Sequence, residues 1–248
     1  MLPVQPAYSD HYSGRAGGLE QSLFETIAWA SGFRPPVEEF DLVLSKRFTL
    51  EEMGSNPIAL RFLEMLIAIS GAKRVLEIGS FVGVSSMCLA RALPPGGKVV
   101  TIEKFDEFAA IAKENFKRNG FEDKIELIVG DALEEAAKVR RLTKFDLIFV
   151  DGNKEHYDDY FRMLEPALSP GGLMVVDDCF FHGDALNKLP GTEKGRGVRK
   201  LLETVSQRGD LQRLALPISN GLLIIWKPPA ALGPAKTQRS RTAHRNNI

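Results

Sequence analysis

Five short runs rich in Val, Ile and Leu, at about 74–78, 98–102, 125–129, 147–150 and 173–176, alternate with amphipathic stretches near 84–93, 106–119, 132–141 and 155–167. The alternation predicts βαβ units, hence a parallel sheet with helices on both faces. A helix near 195–208 follows, then two more strand-like runs at 211–216 and 221–226. The residues between those two runs, 217–221, are too few for a crossover helix, so the pair must be an antiparallel hairpin at one edge of the sheet. The expected fold class is α/β: a Rossmann-like mixed sheet of seven strands, mostly parallel, closed by that hairpin. A chain of 248 residues has room for one large α/β domain or two small ones. Two helices, near 18–31 and 51–70, are expected ahead of the sheet; in the second, Leu60, Leu63, Leu66 and Ile67 recur at helical spacing.

The remainder of the chain sets outer bounds. Residues 1–18 are rich in Pro, Gly, Ser and Tyr, and 228–248 carry Lys236, Arg239, Arg241 and Arg245 with no acid. Both ends are expected to be disordered, leaving N-terminal helices over 19–70 and a catalytic domain over 71–227. The formal net charge is zero, which argues against a general nucleic-acid or membrane-surface role. No signal peptide and no membrane-length apolar run is visible. Cys88 and Cys179 lie in apolar segments without metal or disulfide spacing, which fits a cytoplasmic protein with buried thiols.

The chemistry sits where the apolar runs stop. In an open parallel sheet the carboxyl ends of the strands face a common crevice. The first run leads into Glu77, Ile78, Gly79, Ser80, Phe81, Val82 and Gly83, and then a helix. The glycines allow a tight turn close to a ligand, and the helix start offers free N–H groups and partial positive charge. A carboxylate or phosphate fits there. Glu77 suits a cationic amine better than a pyrophosphate, so an amino acid would satisfy both ends. Glu103 ends the second run, where an acid accepts from ribose hydroxyls. Asp131 follows the third, where a carboxylate can accept from an adenine amino group. Amino acid, ribose and adenine together describe S-adenosylmethionine. Taken singly, each acid has the alternative of a helix cap or a surface charge.

The fourth run ends in Asp151, Gly152, Asn153 and Lys154, and the fifth in Asp177 and Asp178. Three carboxylates at the crevice form an oxygen-only donor set for a hard divalent cation, Mg2+ first, with Mn2+ or Ca2+ as alternatives. A cap or turn pair is the competing reading of Asp177 and Asp178. His156 and His182 are set aside because carboxylates dominate. Lys154 would lose its proton more easily beside a bound cation and act as a base; otherwise it is a solvated lysine at a helix start.

These residues make the chain resemble the metal-dependent class I O-methyltransferases of the caffeoyl-CoA and catechol type, from roughly Met53 to Trp226. The resemblance rests on residues 75–79, on 151–154, on Val176, Asp177 and Asp178, and on 216–222. It implies that Met53 touches the cofactor from an N-terminal loop, and that Glu77, Gly79 and Ser85 hold its methionine half. It further implies that Glu103 takes the ribose, that Asp131 lies near the adenine, that Asp151, Asp177 and Asp178 hold the metal, with Asp151 also beside the cofactor, and that Lys154 is the catalytic base. Two positions depart from the pattern. Asp178 stands where the family usually has Asn, adding one negative charge, and Val84 stands where many relatives carry Tyr. The resemblance implies a homodimer and a small hydroxylated acceptor such as a catechol or enediol. Two other readings stay open: an RNA-modifying methyltransferase acting on a hydroxylated tRNA base, and a non-catalytic cofactor-binding protein. The loop at 180–197, with Phe180, Phe181, Leu189 and Pro190, is expected to close one side of the pocket.

Overall fold

A computed structural model describes residues 36–141 and 143–229, together with residues 26, 27, 29 and 30, which are helical. The expected disordered ends, 1–18 and 228–248, lie outside the described residues apart from Pro228 and Pro229, as does most of the helix expected at 18–31. Short helices α1 (Pro36–Glu39) and α2 (Leu50–Met53) lead to α3 (Pro57–Ser70). Then come β1 (Arg74–Ile78), α4 (Val84–Ala92), β2 (Lys98–Glu103), α5 (Asp106–Arg118), β3 (Ile125–Val129), α6 (Ala132–Val139) and β4 (Phe145–Val150). After them follow α7 (Tyr157–Leu164), β5 (Leu168–Val176), α8 (Glu193–Ser206), β6 (Gln212–Leu216) and β7 (Leu222–Trp226).

The seven strands form one sheet in the order β3-β2-β1-β4-β5-β7-β6. The first five are parallel; β7 runs antiparallel to both β5 and β6, so the hairpin closes one edge with its second strand on the inside. Alternate side chains of the strands enter two cores, as the pleat requires. On one face Val75, Phe149 and Val175 pack with Leu63, Ile67, Met87, Leu89 and Phe116 from α3, α4 and α5. On the other Leu76, Ile148 and Met174 pack with Val139, Phe161, Leu164, Val198 and Leu201 from α6, α7 and α8. Each large apolar side chain so buried contributes about 1.5–3 kcal/mol. Among the described residues no helix is long and apolar enough to cross a membrane.

Register decides which residues meet. Ile78 pairs with Val150, and Val150 with Val176. The next residue along each strand therefore forms one row: Gly79, Asp151 and Asp177. The Asp151 N–H donates to the Ile78 carbonyl at 2.9 Å, and the Asp177 N–H to the Val150 carbonyl at 3.0 Å.

Three expected elements differ. The helix expected over 51–70 is broken at Gly54, Ser55 and Asn56. Pro57 at the first helical position holds Asn56 out of helical geometry, and the Asn56 side chain caps the Ile58 and Ala59 N–H groups. The stretch expected as one helix over 155–167 is α7 between two single 3-10 turns, Lys154–His156 and Glu165–Ala167, the second containing Pro166. The fifth strand begins at Leu168 rather than 173, with a register shift opposite Phe145 and Leu147.

Candidate active site

The turn after β1 is shaped for close approach. Gly79 has φ +90°, and a Cβ there would sit 2.5 Å from the Asp151 carbonyl oxygen. Gly83, at the N-terminus of α4, has φ +89°, and a Cβ there would lie 2.4 Å from the Phe116 ring. Only glycine meets both demands cheaply. Gly79→Ala is expected to destabilise the fold by at least about 2 kcal/mol through strain and overlap. Urea denaturation checks this, and a midpoint matching the parent protein would refute it.

Glu77 lies just before this turn and is fully buried. Its Oε2 accepts from the Ser86 hydroxyl and, at 2.6 Å, from the Thr101 hydroxyl. Its Oε1 is buried without a hydrogen-bond partner. Burial pushes the carboxyl up to about 7; the hydroxyls of Ser85, Ser86 and Thr101 hold it down in part, and the charge of Asp151 adds to the rise. A buried acceptor left open is costly, so Oε1 is an invitation to a donor. Ser86 and Thr101 were not singled out from sequence. Thr101 is opposite Glu77 in the β1–β2 register, a pairing that only the fold reveals.

Glu103, at the end of β2, braces the same turn. Its Oε2 accepts from the N–H groups of Phe81 at 2.9 Å and Ser80 at 3.3 Å, and its Oε1 from Phe105 at 3.0 Å. Asp131 caps α6, accepting from the Leu133 N–H at 2.9 Å, and pairs with Lys104 at 3.0 Å. Those two contacts, Lys104 first, hold its carboxyl below the usual range. The helix-cap alternative is thus realised at Asp131. Met53 ends α2 and is 45% exposed. Two residues on, the Ser55 hydroxyl donates to Asp151 Oδ2 at 2.9 Å, which ties the N-terminal segment to the site. Ser55 had no signal in the sequence, because the helical periodicity read over 51–70 runs through it.

The structure brings Asp151, Asp178 and Lys154 together. The Lys154 ammonium lies 2.8 Å from Asp151 Oδ1 and 3.0 Å from Asp178 Oδ2, with the Tyr157 ring 5.8 Å away on another side. Asp178 has φ +54°, a left-handed geometry that Asp and Asn tolerate better than other side chains. Its N–H donates to Asp177 Oδ1 at 2.9 Å. Burial raises the carboxyls of both Asp151 and Asp177; the negative neighbours raise Asp177 further. Burial alone would lower Lys154, yet Asp151, Tyr157 and Asp178 outweigh it and raise its pKa well above normal. The lysine is an ammonium bridging two carboxylates. Gly197 of α8 lets this segment be gripped closely: a Cβ there would come within 2.4 Å of the Lys154 carbonyl oxygen.

Among the described residues, no three His, Cys, Asp or Glu side chains are arranged as a ready metal cage. The Lys154 ammonium lies against both Asp151 and Asp178, at 2.8 and 3.0 Å. The donor chemistry still suits a hard divalent ion, with the carboxylates of Asp151 and Asp178 on one ammonium and that of Asp177 next in the row.

The O-methyltransferase family model matches residues 37–228. A catechol O-methyltransferase of Niastella koreensis is 30% identical over 169 residues, covering 65% of this chain and 76% of that protein. A caffeoyl-CoA O-methyltransferase of Populus kitakamiensis is 32% identical over 168 residues, covering 66% and 72%. The crystal structure of the O-methyltransferase TomG from Streptomyces achromogenes, in complex with SAM, is 29% identical with a TM-score of 0.68, covering 82% of this chain and 90% of that one. On this match and on the site just described, the chain belongs to the S-adenosylmethionine-dependent O-methyltransferases, with catechol and caffeoyl-CoA O-methyltransferases among its relatives.

Proposed function

We propose that this enzyme methylates one of two neighbouring oxygens on a small hydroxylated acceptor, catechol-like or enediol, with a divalent cation, Mg2+ first, as helper. The observation that carries this reading is the Asp151–Lys154–Asp178 cluster one strand away from the open oxygen of Glu77.

Glu77 Oε1 would receive the ammonium of S-adenosylmethionine, and the free N–H groups starting α4 its carboxylate. Glu103 would accept from the ribose with the remaining acceptor site of its Oε1, and Asp131 would lie on the adenine side. Met53, Ser85 and Asp151 flank the methionine half. Asp151, Asp177 and Asp178 would hold the cation, which when bound makes a coordinated hydroxyl more acidic. Lys154 keeps its proton while Asp151 and Asp178 face it. With those carboxylates engaged elsewhere its pKa falls, Nζ releases its proton to solvent, and the neutral amine can then accept the proton of the acceptor hydroxyl. The oxygen then forms its bond to the methyl carbon as the carbon–sulfur bond breaks. Holding oxygen and methyl in line supplies much of the acceleration.

The exposed apolar stripe on α3, with Met65 and Ile69 facing outward, supports the homodimer expected from the resemblance. Buried free thiols at Cys88 and Cys179 support a reducing, cytoplasmic setting. The test is transfer of a tritiated methyl group to vicinal dihydroxy aromatics and, in parallel, to bulk tRNA, each with Mg2+ or with EDTA. Transfer to the aromatics that EDTA abolishes is expected. Transfer to tRNA alone would favour the RNA reading, undiminished transfer in EDTA would remove the metal, and no transfer with retained cofactor binding would leave a binding protein.

A further inference from the structure

Residues 40–49 form a helix-free strap whose first part lies against α5, where two asparagines one helical turn apart clip it. Asn119 Oδ1 accepts from the Asp41 N–H at 3.0 Å, and its Nδ2 donates to the Asp41 carbonyl at 3.0 Å. Asn115 repeats the clip at Val43. Its Oδ1 accepts from the Val43 N–H at 2.6 Å, and its Nδ2 donates to the Val43 carbonyl at 3.0 Å. Each amide thus stands in for a neighbouring peptide group.

Asn115 does one thing more. It is completely buried, and its second N–H donates to the Val82 carbonyl at 2.9 Å, inside the glycine turn that precedes α4. With both donors and the acceptor used, its hydrogen-bonding capacity is nearly spent. The strap and the turn also meet through tilted and edge-on rings: Phe48 lies 6.1 Å from Phe108, and Phe108 lies 4.9 Å from Phe81. Farther along, the strap leads into α2 and then to Ser55 on Asp151. One end of the segment is therefore fixed to α5 and the other to the acidic cluster, and the glycine turn is joined to it by hydrogen bonds through Asn115 and by ring contacts through Phe108.

We infer that Asn115 is a positioning residue that couples the strap to the cofactor turn, so that cofactor binding and strap closure stabilise each other. The inference rests on the reading that S-adenosylmethionine occupies the turn at residues 79–83. The physical basis is linkage: a bond that needs both partners in place makes ordering of one favour ordering of the other. Losing Asn115 leaves three backbone groups without partners, two on the strap and one on the turn.

The probe is S-adenosylhomocysteine, used with full-length protein. In the parent protein its addition should slow hydrogen exchange at the Val43 amide, although that amide donates to a side chain outside the binding site. Asn115→Ala should weaken binding about tenfold, chiefly through faster release, under conditions where circular dichroism shows it folded. Asn119→Ala, which removes the backbone clip at Asp41 but leaves its ion pair with Arg118 and does not touch the turn, should weaken binding less. A purely structural role for Asn115 predicts a lower melting temperature with unchanged affinity, and that result overturns the inference. So does exchange at Val43 that ignores the ligand, which requires no variant to fold. If the parent protein fails to bind S-adenosylhomocysteine at all, the cofactor reading itself falls, and the parent arm alone shows which failure has occurred.

Discussion

Lys154→Ala is expected to lower kcat by about 10²–10⁴-fold while S-adenosylhomocysteine binds almost as well as before, because the lost group moves a proton in the transition state rather than holding the cofactor. The same substitution should also reveal what the lysine neutralises. Its ammonium bridges Asp151 and Asp178 at 2.8 and 3.0 Å. Removing one partner of a fully buried ion pair costs about 3–5 kcal/mol, and this partly buried pair should cost somewhat less, since water can reach the charge left unpaired. The variant should therefore melt well below the parent protein in EDTA. Added Mg2+ should raise its melting temperature more than it raises that of the parent, because the ammonium no longer competes for the carboxylates. Lys154→Arg separates the two roles. It keeps a cation near Asp151 and Asp178 but cannot accept a proton near neutral pH, so stability should largely return while turnover does not. Near-normal turnover by the arginine variant would remove Lys154 as the base. A melting temperature in Lys154→Ala indifferent to Mg2+ would count against the carboxylates as a metal site.

Much of this site was legible in the sequence because it sits at strand ends. An apolar run that stops at an acid reports both the strand and the edge where it emerges, and parallel pairing then gathers those edges. Glu77, Glu103, Asp151 and Asp177 are placed at the crevice edge of the sheet in that way, and the terminal hairpin is forced by the shortness of residues 217–221. Two kinds of information were hidden. The first is contact between segments distant in the chain. Asn115 and Val43, or Ser55 and Asp151, meet across 72 and 96 positions, and neither partner belongs to a motif. Ser55 was further masked because apolar spacing on both sides of Gly54 imitates one continuous helix; the cap at Asn56 became evident only with Pro57 fixed at the start of α3. The second is competition. Spacing brings Lys154 back over Asp151 one turn later, but it does not say whether the amine serves those carboxylates as counter-ion or stands aside for another cation. At Asp131 the helix cap was the competing interpretation from the start, and the geometry realises it.

Glu77→Gln is expected to flatten two pH dependences that share one cause. The Glu77 carboxyl rises from 4.5 to about 7, foremost because it is buried. Between those values the native state holds a proton that the unfolded chain has already released. Stability from this group is therefore fully present below about pH 4.5 and is lost as pH rises to about 7, by roughly 3 kcal/mol in the ligand-free protein. Glutamine keeps the shape but has no proton to lose, so the stability of the variant should show a correspondingly weaker decline across that window. Binding should run in the opposite sense. A ligand ammonium at Oε1 favours the ionised carboxylate, so affinity for S-adenosylhomocysteine should increase with pH from about 5.5 and level off above about 7. Calorimetry at pH 6 in buffers of different ionisation heat should show close to one proton released per ligand bound. In Glu77→Gln the release should vanish, and affinity above pH 7 should drop by about tenfold or more, since a neutral amide replaces a charge-assisted hydrogen bond. Parent affinity that stays level between pH 5.5 and 7.5, with no proton exchanged, would mean that the open oxygen of Glu77 is not where the cation of the cofactor rests.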